Sequence, residues 1–236
     1  RRPRRTDRAR PGRTRYAAPM KAWLGAEARK AIADVVRAIE AKTSAEIVVT
    51  VRAQSATYRH VDLAVGAACA FVALLIYVYA PIEFMDDPAP PVIAVFFAAG
   101  ALVSGAIPAV QRRLSSAAAR RENVRVAARA AFVDQGIGRT RARNGVLVYL
   151  SLLEREVEIV TDVGIDLGDQ AEAWGKALAA LEQVVRGGGD VASVGARLRA
   201  LGETLAVTMP VQADDANELP DAPVVSDAVA GSPQPT

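Results

Sequence analysis

Cysteine and histidine are almost missing from this chain. Cys69 is the one cysteine and His60 the one histidine among 236 residues. A single cysteine excludes an intrachain disulfide framework and a cysteine-based metal centre. A single histidine excludes catalysis that needs a histidine pair and leaves no basis for an all-protein zinc site. Aromatic residues are also scarce, at 5%. Gly187-Gly188-Gly189 lacks the Lys-Ser/Thr partner of a phosphate-binding loop and follows a helical stretch, so it does not point to nucleotide binding. The most informative scarcity is local: Leu63 to Ala80 and Pro91 to Val110 hold no charged residue at all.

What fills those two stretches is apolar. A helix rises about 1.5 Å per residue, so each run of about twenty residues matches a hydrocarbon core roughly 30 Å thick. Helices also satisfy their own backbone polar groups, as a lipid interior demands. The link Pro81 to Pro90 is short, acidic and proline-rich, with Glu83, Asp86 and Asp87 and no basic residue. Arginine flanks the pair instead: Arg52 and Arg59 come before it, and Arg112, Arg113, Arg120, Arg121, Arg125 and Arg129 follow. The positive-inside rule then places both termini in the cytoplasm and the link on the far side. The expectation is a multi-pass protein of the inner (plasma) membrane, with a hairpin over 61–110 built from spans 61–80 and 91–110. Gly100, Ser104 and Gly105 would let the two helices approach closely. Asp62 is the lone charge within the spans, which argues against a transport pathway.

The remaining chain divides around this hairpin. Residues 1–21 form a basic lead with no apolar stretch behind it, expected to be disordered and not a signal peptide. Met20-Lys21-Ala22-Trp23 has the look of a natural start. Residues 22–60 carry an amphipathic helix, with Leu24, Ala28, Ile32, Val35, Val36 and Ile39 on one stripe, and then the β-branched strand Glu46–Val51. Residues 111–210 predict a long helix over 112–135 ended by Gly136, strands at 146–151 and 156–161, a helix over 166–186, and a helix over 191–207 capped by Asp190. Residues 211–236, rich in Asp, Pro, Ala and Ser, are expected to be a disordered tail except where Asn217-Glu218-Leu219-Pro220 docks.

A crossover joins the first two strands, which predicts parallel neighbours, and a tight hairpin adds the third antiparallel. Neither side of the apolar pair holds a complete core, so the two sides pack as one domain. The fold class is therefore α/β: a small mixed sheet flanked by helices and interrupted by a two-helix transmembrane hairpin.

Three segments together carry a family resemblance. Thr43-Ser44-Ala45-Glu46-Ile47-Val48-Val49 resembles the first strand of the TPM domain. Phe132-Val133-Asp134-Gln135-Gly136-Ile137, followed by Arg143-Asn144-Gly145-Val146-Leu147, resembles its centre. Val157 to Ile165 resembles its third strand and turn. The match covers about residues 22–210 in the right order, and Asp214 to Pro220 is similar to the end of bacterial membrane-hairpin members. The resemblance implies a small α/β sandwich. The family includes a plant thylakoid protein linked to photosystem repair and described as an acid phosphatase, a worm receptor-modulating membrane protein, and relatives that bind calcium. This chain differs in its inserted hairpin and its cytoplasmic placement.

Two functional expectations follow. The leading one is a membrane-tethered cytoplasmic module, not an enzyme, that binds a protein partner or maintains a complex. Its other partners would be the bilayer and anionic lipid headgroups near the arginines, with no specific nucleic acid. The alternative is a metal-assisted phosphohydrolase. In that case Glu46, Asp162 and Asp166, with Asp169 nearby, would offer hard oxygen ligands to Ca2+ or Mg2+. The same aspartates can equally serve turns and a helix N-terminus, and Asn144-Gly145 and Gly164 either line a ligand cleft or supply positive φ in turns.

Overall fold

A computed structural model describes residues 22–79, 89–211 and 217–229. The basic lead, Met20, the acidic link and the remaining parts of the tail lie outside the described residues. Helix α1 (Ala26–Glu40) buries Ala28, Ile32, Val35, Val36 and Ile39, the stripe expected from their spacing of three and four. It leads into strand β1 (Glu46–Gln54). Strand β2 (Gly145–Ser151) lies beside β1 in parallel, with Glu46 opposite Gly145 and Arg52 opposite Ser151. Strand β3 (Glu156–Thr161) returns antiparallel to β2. The parallel and antiparallel pairings are those the connections require.

The fourth strand is a correction. Val224–Val229, within the tail expected to be disordered, forms β4 and pairs in parallel with the free edge of β1, giving the order β3-β2-β1-β4. Its physical cause is the open edge. Without β4, β1 would present an unpaired row of backbone groups along a buried strand, and the β-branched pair Val224-Val225 supplies the matching segment.

Side chains alternate across the sheet and meet helices on both faces. Ile47, Val49 and Val51 join Val146, Val148 and Leu150 under α1 and two helices that follow the sheet, α6 (Ala171–Gly187) and α7 (Val191–Thr208). Val48, Leu147 and Tyr149 face the opposite way, against Val124, Ala128 and Ala131 of α5 (Ala117–Asp134). Asp190 caps α7 by accepting the Ser193 amide at 2.8 Å, as expected. Gly136, at φ +68, closes α5. The helix expected from Asp166 begins only at Ala171, after a single 3-10 turn over Gly168–Gln170 in which Gly168 has positive φ.

Between β1 and α5 the chain forms α2 (Arg59–Tyr79) and α3 (Ala89–Ala106), which pack along each other. Small residues set their separation. A Cβ at Gly100 would lie 3.2 Å from the Gly66 Cα and 2.7 Å from Cys69 Sγ, and one at Gly66 would lie 2.8 Å from the Phe97 carbonyl oxygen. The second apolar run is not straight to Val110. Pro108 has no amide hydrogen to continue the helix, and the axis turns by 96° into α4 (Pro108–Leu114). The long helix expected over 112–135 is likewise broken, because Ser115 and Ser116 are not helical and Ser116 starts α5 afresh by accepting the Ala119 amide. Helix α2 is long and apolar enough to cross a membrane, with a mean hydropathy of 2.3 over an 18-residue stretch of which only 17% is buried; α3 qualifies only when counted together with the bent α4.

Candidate anion-binding site at the base of the hairpin

The carboxyl ends of β1 and β2 point toward the hairpin. This is the end of a parallel sheet where ligand crevices form in open α/β folds. Ala53 and Leu153, from the two strand ends, pack with Tyr58 and Val61 at the start of α2 and seal the joint. The turn from β2 to β3 comes back over this end: the Leu152 and Leu153 amides donate to the Arg52 and Ala53 carbonyls. Arg155 closes that turn at φ +54, a left-handed conformation that costs a non-glycine residue about 1–2 kcal/mol.

A buried polar network holds the turn from below. Glu154 is 1% exposed. Its Oε1 accepts from the Ser55 amide at 3.0 Å and the Tyr58 hydroxyl at 2.9 Å, and its Oε2 accepts from the Ser151 hydroxyl at 2.5 Å. The Ser55 hydroxyl donates in turn to Ser151 Oγ at 2.7 Å. Burial, then the Glu154 charge, raises the Tyr58 hydroxyl well above its ordinary pKa. Three donors converge on one carboxylate, which is how a buried charge is tolerated. With Ser151 wholly buried, the network is a brace and not a nucleophile.

Above the brace lies an open cleft of about 480 Å³. The α4–α5 elbow brings Arg112, Arg113, Arg120 and Arg121 to it, the β2–β3 turn brings Arg155, and the end of α6 brings Arg186. The carboxylates among its walls are Glu154, engaged as above, and Glu156, which pairs with Arg121 at 3.6 Å and Arg186 at 3.3 Å. Arg120 ties the elbow together, donating through Nη1 to the carbonyls of Arg112 at 2.7 Å and Ser115 at 2.5 Å. Arg112, Arg113 and Arg155 have no carboxylate partner among the described residues. Burial, then the neighbouring Arg155, Arg120 and Arg113 charges, lowers the pKa of Arg112. An anion entering here would relieve guanidinium repulsion and find fork-shaped donors suited to phosphate oxygens.

Asp62 stabilises the same joint from the hairpin side. It accepts from Ser104 of α3 at 2.8 Å and from the Gln111 amide of α4 at 3.1 Å. The lone charge of the apolar runs is thus a staple that holds three helices together. Gly105 stands against it, since a Cβ there would touch the Asp62 carboxylate at 3.4 Å. His60 is exposed, with its ring 6.2 Å from that of Tyr58.

The acidic residues named as possible metal ligands lie at the other end of the sheet. With a rise of about 3.3 Å per residue, Glu46 is on the order of 25 Å from the C-terminal end of β1. Glu46 and Asp162 flank Gly145, since Glu46 is in register with it and the Asp162 amide donates to its carbonyl. Their carboxylates are already engaged. Glu46 accepts the amides of Glu218 and Leu219 at 3.3 and 3.2 Å, so the expected docking of 217–220 is present. Asp162 Oδ1 accepts from the Val163 amide and pairs with Arg143 at 2.9 Å, while its Oδ2 is buried without a hydrogen-bond partner among the described residues. Asp166 is exposed and caps a turn through the Gly168 amide, and Asp169 is exposed too. Among the described residues no group of three or more His, Cys, Asp or Glu side chains could hold a metal ion.

Gly145 and Gly164 correct a related expectation, because neither has positive φ. Gly164 is required by close approach: its amide donates to the Arg143 carbonyl at 2.8 Å, and a Cβ would fall within 2.6 Å of that oxygen. Arg143 itself takes the positive φ, at +56. In the sequence the arginines of the elbow signal orientation and headgroup contact, but not a shared cleft. Nothing local marks Arg155 and Arg186 as their neighbours, since the sheet topology brings them together.

The chain matches no protein-family profile. No curated protein matches it either. In fold it is similar to the BA42 protein of the psychrophilic bacterium Bizionia argentinensis, determined by NMR, with a TM-score of 0.51 and 20% identity over 86% of this chain and 96% of that one. Likeness at that level of identity concerns the fold alone.

Proposed function

We propose that this chain is an integral membrane protein whose helices α2 and α3 cross the bilayer as a hairpin, and whose TPM-like α/β domain works on the cytoplasmic side as a partner-binding or complex-maintenance module. The observation that carries the reading is the exposure of α2. A core helix of comparable hydropathy would be covered by protein, whereas Leu63, Phe71, Val72, Ile76 and Val78 of this one are all more than half exposed. Val95, Phe96, Leu102 and Val103 of α3 are half or more exposed as well. Lipid is the solvent that makes such a surface stable. The arginine cleft at the base supports the orientation, since it would face anionic headgroups of the cytoplasmic leaflet.

The rival reading, a metal-assisted phosphohydrolase, calls for converging carboxylates at a substrate crevice. The described residues bring arginines to the crevice at the strand ends and put Glu46 and Asp162 to structural use elsewhere. A topology reporter fused at Asp86 tests the proposal: activity of a periplasm-dependent reporter is expected there, together with cytoplasmic activity at the C-terminus. Cytoplasmic activity at Asp86, or a chain that stays in solution without detergent, would overturn it. Pulldown in mild detergent then tests for the protein partner.

A further inference from the structure

The arginine cleft shares two walls with a second cavity. Arg112 and Arg155 also line a pocket of about 120 Å³ whose remaining surface is mostly apolar, including Trp23, Leu150, Leu152 and Val194. Pro108, at the sharp bend below α3, forms part of its rim. The volume is a little less than the roughly 150 Å³ of a cavity that takes a benzene ring, and so suits a short alkyl segment. Arg155 is fixed between the two spaces. Its backbone is in the left-handed conformation, and its guanidinium lies over Gly188, where a Cβ would stand 2.9 Å from Arg155 Cζ. Gly188 is itself at φ +78, so glycine there answers both the helix end and the approach of the arginine.

We propose that the two cavities are one site for a phosphate-bearing amphiphile, with the phosphate among Arg112, Arg113 and Arg155 and an alkyl segment in the pocket beside Trp23. The three guanidiniums, without carboxylate partners among the described residues, favour a dianionic phosphate monoester, with three terminal oxygens, over a carboxylate with two. The apolar pocket adds selectivity that a basic surface alone lacks. The inference builds on reading the cleft as an anion site next to the bilayer, but its test needs no bilayer. Failure of the membrane topology and failure of this site are therefore read in separate experiments.

The test uses the full chain in a neutral detergent, in a Trp174→Phe background so that Trp23 is the sole reporter of fluorescence. The ligands are hexyl phosphate, inorganic phosphate, hexanoate and hexanol, and the variants are Arg113→Gln and Arg155→Gln. Burial of about two methylenes is worth roughly tenfold in affinity. Hexyl phosphate should accordingly bind at least tenfold tighter than each of the other three ligands and shift the Trp23 emission. Each arginine variant should weaken it at least fivefold, and since Arg113 is exposed, its loss reads binding without risk to the fold. Equal binding of inorganic phosphate or hexanol, an unmoved Trp23 signal, or intact affinity in Arg113→Gln with Arg155→Gln would overturn the proposal. Competition by phosphatidate in nanodiscs would identify the ligand as a membrane lipid. Retained hexyl phosphate binding without that competition would identify a soluble amphiphile.

Discussion

Replacing Glu40 by glutamine should stabilise the protein above neutral pH and leave it unchanged in acid. Glu40 ends α1 and accepts the Ile47 amide through Oε1 at 2.9 Å, while its Oε2 is buried without a hydrogen-bond partner among the described residues. Burial, with the nearby Glu46 and Asp221 carboxylates adding to it, lifts its pKa from 4.5 to about 7 against the opposing pull of the Ile47 amide. The folded chain therefore holds a proton that the unfolded chain releases, so stability falls as pH rises. The loss begins near pH 4.5, is complete above about pH 7, and stays constant beyond. The full shift would correspond to about 3 kcal/mol, which solvent screening at this half-buried site reduces to ~1–2 kcal/mol. Glutamine keeps the oxygen acceptor and removes the charge. In detergent, followed by tryptophan fluorescence, E40Q should melt about 3–6 °C above the parent at pH 8 and within a degree or so, on the order of error, at pH 4.5. An equal shift at both pH values would show that packing and not ionisation is responsible.

Three further outcomes follow from the same structure. Glu154→Ala strands the Ser55 amide and the Tyr58 and Ser151 hydroxyls and should cost ~3–5 kcal/mol in chemical denaturation; combined with Tyr58→Phe, the losses should fall short of additivity by about 1 kcal/mol, and strict additivity would show the two groups to be uncoupled. Glu46→Ala should leave the sheet in place but speed hydrogen exchange at the Glu218 and Leu219 amides by tenfold or more, on the order of one lost charged hydrogen bond. Gly100→Ile should lower stability by ~2 kcal/mol through overpacking against Cys69 and Gly66, whereas Gly175→Ala, where a Cβ meets nothing within 4 Å, should raise it by about 0.5–1 kcal/mol; thermal melts of the two variants moving in the same direction would count against the hairpin geometry.

Local chemistry explains which parts of the fold could be read from the chain. The α1 stripe, the β-branched strands, the Asp190 cap and the Gly136 stop are each governed by neighbours a few residues away. The parallel β1–β2 pair followed from connection rules applied to those strands. Strand β4 escaped because Val224-Val225 is a very short signal inside a segment of disorder-like composition, and its stability comes from an edge contributed by β1. The break at Pro108 was visible as a proline, yet the hydropathy of 91–110 outweighed it. The candidate site was the least legible part. Arg112 and Arg155 come together only after a strand has crossed the domain, and an arginine with positive φ has no sequence signature.

The register of β1 has a consequence for how the chain is made. Glu46 pairs with Gly145 and Thr50 with Val224, so the strand at the centre of the sheet is synthesised long before either of its partners. Two greasy helices leave the ribosome in the interval. The nascent β1 edge stays open until Val224–Val229 has been made, an interval in which it can pair with a neighbouring chain. Deleting Val224 to Val229 should therefore be felt first as aggregation during production, and only second as a change in the finished molecule.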